Sequence, residues 1–528
     1  MSRLSEYLNR HIVGNVFDRP SICNTYSTDG SILTYTPKLV AIPETQDDIR
    51  RLLRFANQLA ARDLRLPITM RGTGLDKTGA SIGPGMIVST EKLNHIEEID
   101  VRGRLIRLQP GVKLGELNRA LRLNGLWLPI GYDNNATIGG LISNNPIDDY
   151  NYKYNGIFSY VERVEVALPS GDLVQLAALP QRAAESRAKE DSVEGVLYRK
   201  ILQLLDDYAD TILDRSMRPF DAEGYANIVR VKEGHMLNLL PLVFAAQGTL
   251  GAITDIILRL EPLPSVFQRM MVSFHDLKTA QRFMNYARDL KPYMLKIIDL
   301  DIIETAIKNG KKLDFVTRKL GKGILVMVGF DFHRHKTKRC LERLSELLPD
   351  NAQQLVETVD NCNDFEEIES FLVNYLNDSE GERTAILDGA FVPNMNFTDF
   401  VQGVKTLEQT IGKRLPIYGS FASPSYSLRP DFDLADFGDR QEAVDFMQMY
   451  AELVVSCQGS ITANYPEGRT RAIIQLATLS VTERQLYAGI KAAFDPLNIM
   501  NPGVKLGASA EDVVRHLRTR EKGGIITA

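Results

Sequence analysis

Apolar and polar positions along the first half of the chain fall into short blocks, each bounded by a polar turn. LVAIP (39–43) is apolar throughout and predicts a buried strand. In the following ETQDDIRRLLRFANQLAARD, the apolar residues Ile49, Leu52, Leu53, Ala56 and Leu59 recur at helical spacing. That segment predicts an amphipathic helix, with Thr45 as its N-cap. LRLPITM is the next predicted strand. Leu114, Leu117 and Leu121 mark a short helix that Gly125 closes. VERVEVALPSGDLV predicts a hairpin turned at Ser170-Gly171-Asp172, and GTLGAITDIILRLEPLP (248–264) ends in a strand and two prolines, a natural boundary. From about residue 265 the blocks lengthen. ILVMVGFDF (324–332), TKRCLERLSELL (337–348) and QEAVDFMQMYAELVVSC (441–457) read as strands and amphipathic helices of a second, α+β unit.

Composition narrows the function classes. At 528 residues and 44% hydrophobic the chain exceeds the usual size of a single core. Its formal net charge is only -5, which gives no electrostatic ground for nucleic acid as a partner. Cys23, Cys340, Cys362 and Cys457 lie far apart, so neither a disulfide framework nor a cysteine-built zinc site is expected. The opening MSRLSEYLNRHIVGNVFDR lacks an apolar leader, and no run of about 18 apolar residues predicts a transmembrane segment. A cytoplasmic location is the resulting expectation.

The chemistry is concentrated in ITMRGTGLDKTGASIGPGMIVST (68–90), where five glycines separate two apolar runs. A phosphate-binding GxxxxGK[ST] loop needs a lysine after its last glycine, but Ala80 follows Gly79. A GxGxxG dinucleotide fingerprint needs a third glycine and a following helix, but Lys77 stands there and a strand follows. The third pattern is a strand, then R-G-x-G-x-x-x-[ST]-G, then a strand, in which successive backbone N–H groups form an anion nest. Arg71, Gly72, Gly74, Thr78 and Gly79 satisfy it in order.

With four further segments, this loop resembles the FAD-linked oxidases of the vanillyl-alcohol oxidase and p-cresol methylhydroxylase (PCMH) type. Those segments are TYSTDGSILTYTPKLVAIPETQDDI, GLWLPIGYDNNATIGGLISNN, GYANI with AAQGTLGAITDIILRLEPLP, and the terminal AFDPLNIMNPGVKLG. The resemblance implies an α+β fold: a two-subdomain PCMH-type FAD-binding domain over 1–265, with its core at about 35–180, and a substrate-capping α+β domain with an antiparallel sheet over 266–480. Residues 481–510 would return to the FAD domain, and 511–528 would form a polar, loosely ordered tail. It also implies FAD contacts from Arg71, Gly72, Thr73, Gly74, Leu75, Thr78 and Gly79, from Thr137, Gly139, Gly140 and Asn144, and from Gly248, Gly251, Ile253 and Asn501. Leu75 replaces the usual threonine, and Gln247 replaces the more usual glutamate. His95 reads as an exposed turn and the loop holds no histidine, so FAD is expected to be bound non-covalently.

Within that family the order of segments most resembles the D-lactate, D-2-hydroxyglutarate and glycolate dehydrogenase branch. That branch carries two metal-binding histidines and a later Glu-His pair. Here Ser420 and Ser427 stand at the histidine positions, and Asn464 and Tyr465 replace Glu-His. Hydroxyls are poor zinc or manganese ligands, so no catalytic metal is expected. His333 and His335, in the charged FHRHKTKR run, read as a solvated loop. Tyr465 takes the family's base position, Arg429 is a candidate anchor for a substrate carboxylate, and Arg429 or Arg469 is a candidate for lowering the phenol's pKa. Glu467 is a weaker base candidate. The expected function is oxidation of a small alcohol, hydroxy acid or sugar-like substrate by hydride transfer to FAD, without a metal. Two rivals stay open: a flavoprotein acting only as a binding module, and a metal-dependent D-2-hydroxy-acid dehydrogenase. The electron acceptor is left open among oxygen, a quinone, a cytochrome and another flavoprotein.

Overall fold

The computed structural model describes residues 2–518, except 219–223, 321–322, 378–385 and the single positions Asn309, Asp431, Ala435 and Ala463. The first predicted strand, Leu39–Ile42, runs parallel to Met86–Ser89, which runs parallel to Ile68–Arg71. Asn15–Phe17 completes this sheet antiparallel at its edge. Helix Gln46–Ala60 joins two of these strands. Thr45 Oγ1 accepts the Asp48 amide at 3.2 Å, and the Asp48 carboxylate takes the Thr45 amide in return, forming a capping box. Ile49, Leu52, Leu53 and Ala56 face the sheet side of the core, as their spacing predicts.

A second sheet is antiparallel: Ile96–Asp100, Leu105–Leu108, Ala252–Arg259, Val161–Ala167 and Leu173–Leu176 in that order. The hairpin turns where expected, with Gly171 at φ 81°. The glycine-rich loop lies between Ile68–Arg71 and Met86–Ser89, and the short helix Ile138–Asn144 lies across a cavity from it.

Beyond residue 265, six antiparallel strands form one sheet in the order Gln353–Val356, Gln268–Phe274, Ile324–Phe330, Met294–Asp299, Ile417–Ser420 and Ser425–Leu428. Helices cover both faces. Met270, Val272, Val326 and Val328 pack toward Leu277–Asp289 and Arg334–Glu346, while Met271, Leu325 and Met327 pack toward Leu300–Lys308, Asp314–Leu320 and Cys362–Asn377. A sheet buried on both sides needs no polar face, which is why ILVMVGF reads as one apolar run.

The chain then returns. Helix Val481–Phe494 buries Leu486, Tyr487, Ile490 and Phe494 in the core of the first sheet pair. The Ile68 amide donates to the Ile499 carbonyl, and the Asn501 amide donates to the Ile68 carbonyl, both at 2.8 Å. The polar end is more ordered than its composition predicts. Ala510–Arg515 is helical, and Val513 and Leu517 are buried because Leu517 pairs with Leu33; 519–528 lie outside the described residues. The FHRHKTKR run also differs from its reading as a loop. Its residues from Arg334 form the exposed first turns of helix Arg334–Glu346. Among the described residues no helix is long and apolar enough to cross a membrane.

Candidate active site

A cavity opens between the glycine loop and helix Ile138–Asn144. Arg71, Gly72, Thr73, Gly74 and Leu75 form one wall, Thr137, Gly139, Gly140 and Asn144 a second, and Gly248, Gly251 and Ile253 a third. The glycines set its shape. A Cβ on Gly72 would stand 2.3 Å from Thr137 Oγ1. Gly74 has φ 77°, and a Cβ there would stand 2.2 Å from Arg71 Nη2. The cradle therefore accepts a long ligand against bare backbone, with the amides of 72–75 available for a diphosphate. These residues fit FAD.

Thr78, Gly79 and Asn501 do not line this cavity; they brace the loop from behind. Thr78 Oγ1 donates to the Asp76 carboxylate and accepts from Gln247 Nε2 at 2.9 Å, and Gly79 packs against Leu33. Asn501 Nδ2 donates to the Ala80 and Gln247 carbonyls at 2.7 and 2.9 Å. Arg469 joins this bracing. Its guanidinium donates to the carbonyls of Gly79, Ile82 and Pro502, away from Tyr465. Asp76, a residue the motif leaves as x, accepts the amides of Thr78 and Ala80 at 3.0 and 2.7 Å, so those two amides are already taken. Burial and the nearby Asp29 push its carboxyl up to about 6. Asp76 also accounts for Gln247. The amide donates to Thr78 and Asn144 while its Oε1 accepts the Gly468 amide, and a glutamate would add a second charge beside Asp76.

A second cavity adjoins the first, and Tyr132 lines both. The four positions where the family's metal and base residues would stand, Ser420, Ser427, Asn464 and Tyr465, all line it. Among the described residues no three His, Cys, Asp or Glu side chains cluster as metal ligands. Tyr465 and Tyr132 share a hydrogen bond of 2.5 Å between their hydroxyls. Burial and the Asp388 charge raise the Tyr465 phenol, and burial beside Tyr465 raises that of Tyr132, so both remain protonated at neutral pH.

Arg429 is buried and does not line the cavity. Its Nη2 donates to Asp388 Oδ2 at 2.9 Å, and Lys77 Nζ from the glycine loop donates to the same oxygen at 3.1 Å. Burial presses Asp388 upward, but Arg429 and Lys77 hold it below the ordinary carboxylate range; burial brings Lys77 down to about 8. Glu467 is buried and paired with Lys505. Sequence reasoning passed over the acids of this chamber. Asp148 is 5% exposed, its Oδ1 accepts the Tyr150 amide at 2.7 Å, and its Oδ2 has no hydrogen-bond partner among the described residues. Burial pushes its carboxyl up to about 7. Neighbouring Asp149 pairs with Lys296 at 2.6 Å.

Comparisons with known proteins identify two domains in the chain. An FAD binding domain family matches residues 37–177, and the C-terminal domain of FAD linked oxidases matches 263–504. D-2-hydroxyglutarate dehydrogenases of Pantoea ananatis and Escherichia coli are each 24% identical, over 90% and 91% of this chain and 48% and 49% of theirs. The chain thus spans about half the length of these two relatives. A glycolate oxidase subunit of Bacillus subtilis is 23% identical over 88% of each chain. In structure, 4-ethylphenol oxidase from Gulosibacter chungangensis superposes with a TM-score of 0.69 at 14% identity, covering 96% of this chain and 98% of that one. For p-cresol methylhydroxylase the TM-score is 0.66 at 13% identity, with 93% of each chain covered. With the two domains matched in order around a glycine-lined dinucleotide cradle, the chain belongs to the FAD-linked oxidases.

Proposed function

We propose that this chain oxidises the C–OH group of a small alcohol, hydroxy acid or sugar-like substrate, with Asp148 taking the hydroxyl proton. Bound FAD would supply the two-electron acceptor for the carbinol hydride. One observation carries the reading: Tyr132 belongs to the walls of both the cofactor cradle and the polar chamber, so a substrate in the chamber abuts the cradle. The Tyr132–Tyr465 pair sits at that junction as two protonated phenols, suited to donating a hydrogen bond and orienting the reacting hydroxyl. Tyrosinate is out of reach near neutral pH for phenols buried this deeply. Asp148 is better matched to removing a proton there, being a residue of the chamber wall with a carboxyl poised near 7.

The glycolate oxidase subunit and the D-2-hydroxyglutarate dehydrogenases among its relatives support C–OH chemistry. The test is anaerobic mixing of the FAD-loaded protein with alcohols, hydroxy acids and polyols while the visible flavin band is followed. Bleaching by at least one compound is expected. A flavin that dithionite bleaches, but no C–OH compound does, refutes the reading.

A further inference from the structure

Behind the chamber wall, one guanidinium joins the segments that carry Tyr465 and Asp388. Arg471 is wholly buried. Its Nη1 donates to the main-chain carbonyls of Ile461 and Tyr465 at 2.7 and 3.0 Å, and its Nη2 donates to the carbonyl of Asp388. The guanidinium carbon lies 5.8 Å from the centroid of the Tyr465 ring. A buried cation is ordinarily met by a carboxylate, yet these three bonds all go to main-chain oxygens. Their product is geometry: they fix one stretch of backbone against another.

Asp388 is itself fixed from the cofactor side. Its Oδ2 accepts from Lys77 of the glycine loop and from Arg429. The contacts thus run from the cradle loop through residue 388 to the main chain at 465. Tyr465 needs such a tie, because it sits on the connection between helices Phe437–Ser456 and Ala472–Thr478, outside any strand. The Asn464 amide adds a bond in the same direction, to the Gly389 carbonyl at 3.1 Å. A rigid planar fork can hold several carbonyls at once. A lysine ammonium would keep the charge and lose that geometry.

Building on the proposed C–OH chemistry, we infer that Arg471 is a positioning residue for the reaction, its fork setting the Tyr465 hydroxyl against Tyr132 and the substrate hydroxyl. Arg471 belongs to the wall of neither cavity, so it acts through Tyr465 and touches no reacting atom. Its contribution to the rate is then bounded by that of the hydroxyl it places.

Two measurements on the FAD-loaded protein test this. The first is anaerobic stopped-flow bleaching of Arg471→Lys, Tyr465→Phe and the double variant by whichever C–OH compound bleaches the wild type. Arg471→Lys should retain FAD and lower the maximal rate about tenfold, and the double variant should be no slower than Tyr465→Phe. Losses that multiply to about a hundredfold in the double variant mark a merely structural role and overturn the inference. Loss of FAD from Arg471→Lys, or a wild-type rate in it, also overturns it. The second measurement needs no turnover: fluorine NMR of the protein with a fluorotyrosine installed at position 465. One narrow line is expected with Arg471 in place, and a broadened or split line in Arg471→Lys. A line equally narrow in both overturns the inference. Should no C–OH compound bleach the wild type, the oxidoreductase reading falls, and the fluorine line alone decides whether Arg471 fixes the ring.

Discussion

Asp148→Asn separates catalysis from stability in opposite directions. In the native chamber the carboxyl is carried from its ordinary 3.8 up to about 7, chiefly by burial, with Asp149 adding to the rise while the Tyr150 and Gly131 amides and Lys296 oppose it. At about 1.4 kcal/mol per pH unit, keeping that group ionised costs the fold on the order of 4 kcal/mol at alkaline pH. The sign follows from proton counting. Between the two values the folded protein holds a proton that the unfolded chain has lost. Stability from this group is therefore complete below about pH 4, declines as pH rises, and levels off above about 7. An amide at 148 has no such slope. Relative to wild type, the variant should gain stability by up to a few kcal/mol on moving from about pH 4 to pH 8, read from urea midpoints. Turnover should move the other way. Loss of a general base costs about 10²- to 10⁴-fold in the rate of flavin bleaching, measured by anaerobic stopped flow. The wild-type rate should also fall about tenfold per unit below pH 7, a limb the variant lacks. A variant that bleaches at the wild-type rate with the same pH profile would remove Asp148 from the mechanism.

Three further outcomes follow from the geometry. Gly74→Ala places a Cβ at φ 77° and 2.2 Å from Arg71 Nη2, so FAD retention through gel filtration should drop at least about tenfold while the far-UV spectrum is unchanged. Tyr465→Phe removes an orienting hydrogen bond and no proton acceptor. The bleaching rate should fall about tenfold with its pH midpoint unmoved, and loss of the pH limb would instead make the phenol the base. Lys77→Met leaves Asp388 with one fewer buried cation; destabilisation of about 3 kcal/mol in urea melts is expected, and an unchanged midpoint would refute the pairing.

The sheets were legible because their periodicity is local: strand 39–42, the capped helix after it and the glycine-turned hairpin each declare themselves within twenty residues or so. The cradle was legible too, since close backbone approach leaves glycines behind. Direction was not. Thr78 fits the nest pattern, but Asp76, two residues earlier, captures its hydroxyl and amide and turns it away from the cavity. Arg469, a candidate for lowering the Tyr465 pKa, instead follows the turn at Gly468, with φ 53°, and donates beneath the glycine loop. Tyr132 and Asp148 lie sixteen residues apart in the first domain and Asp388 comes from the second, so only the packing of the two domains brings all three to one chamber. Their burial, which gives them their chemistry, has no local signature in a chain where acids are common.

The ion cluster at Asp388 limits how freely this architecture can be rebuilt from interchangeable parts. Lys77 belongs to the cofactor loop, while its counterion belongs to the overlying domain, and both are almost wholly shielded from water. Grafting a relative's C-terminal domain onto this base would strand an uncompensated lysine in the interior unless position 77 changed with it. Divergence of the two halves is thereby tethered at one residue: a lineage seeking a new substrate chamber must retain the Lys77 partnership or abandon both ends at once.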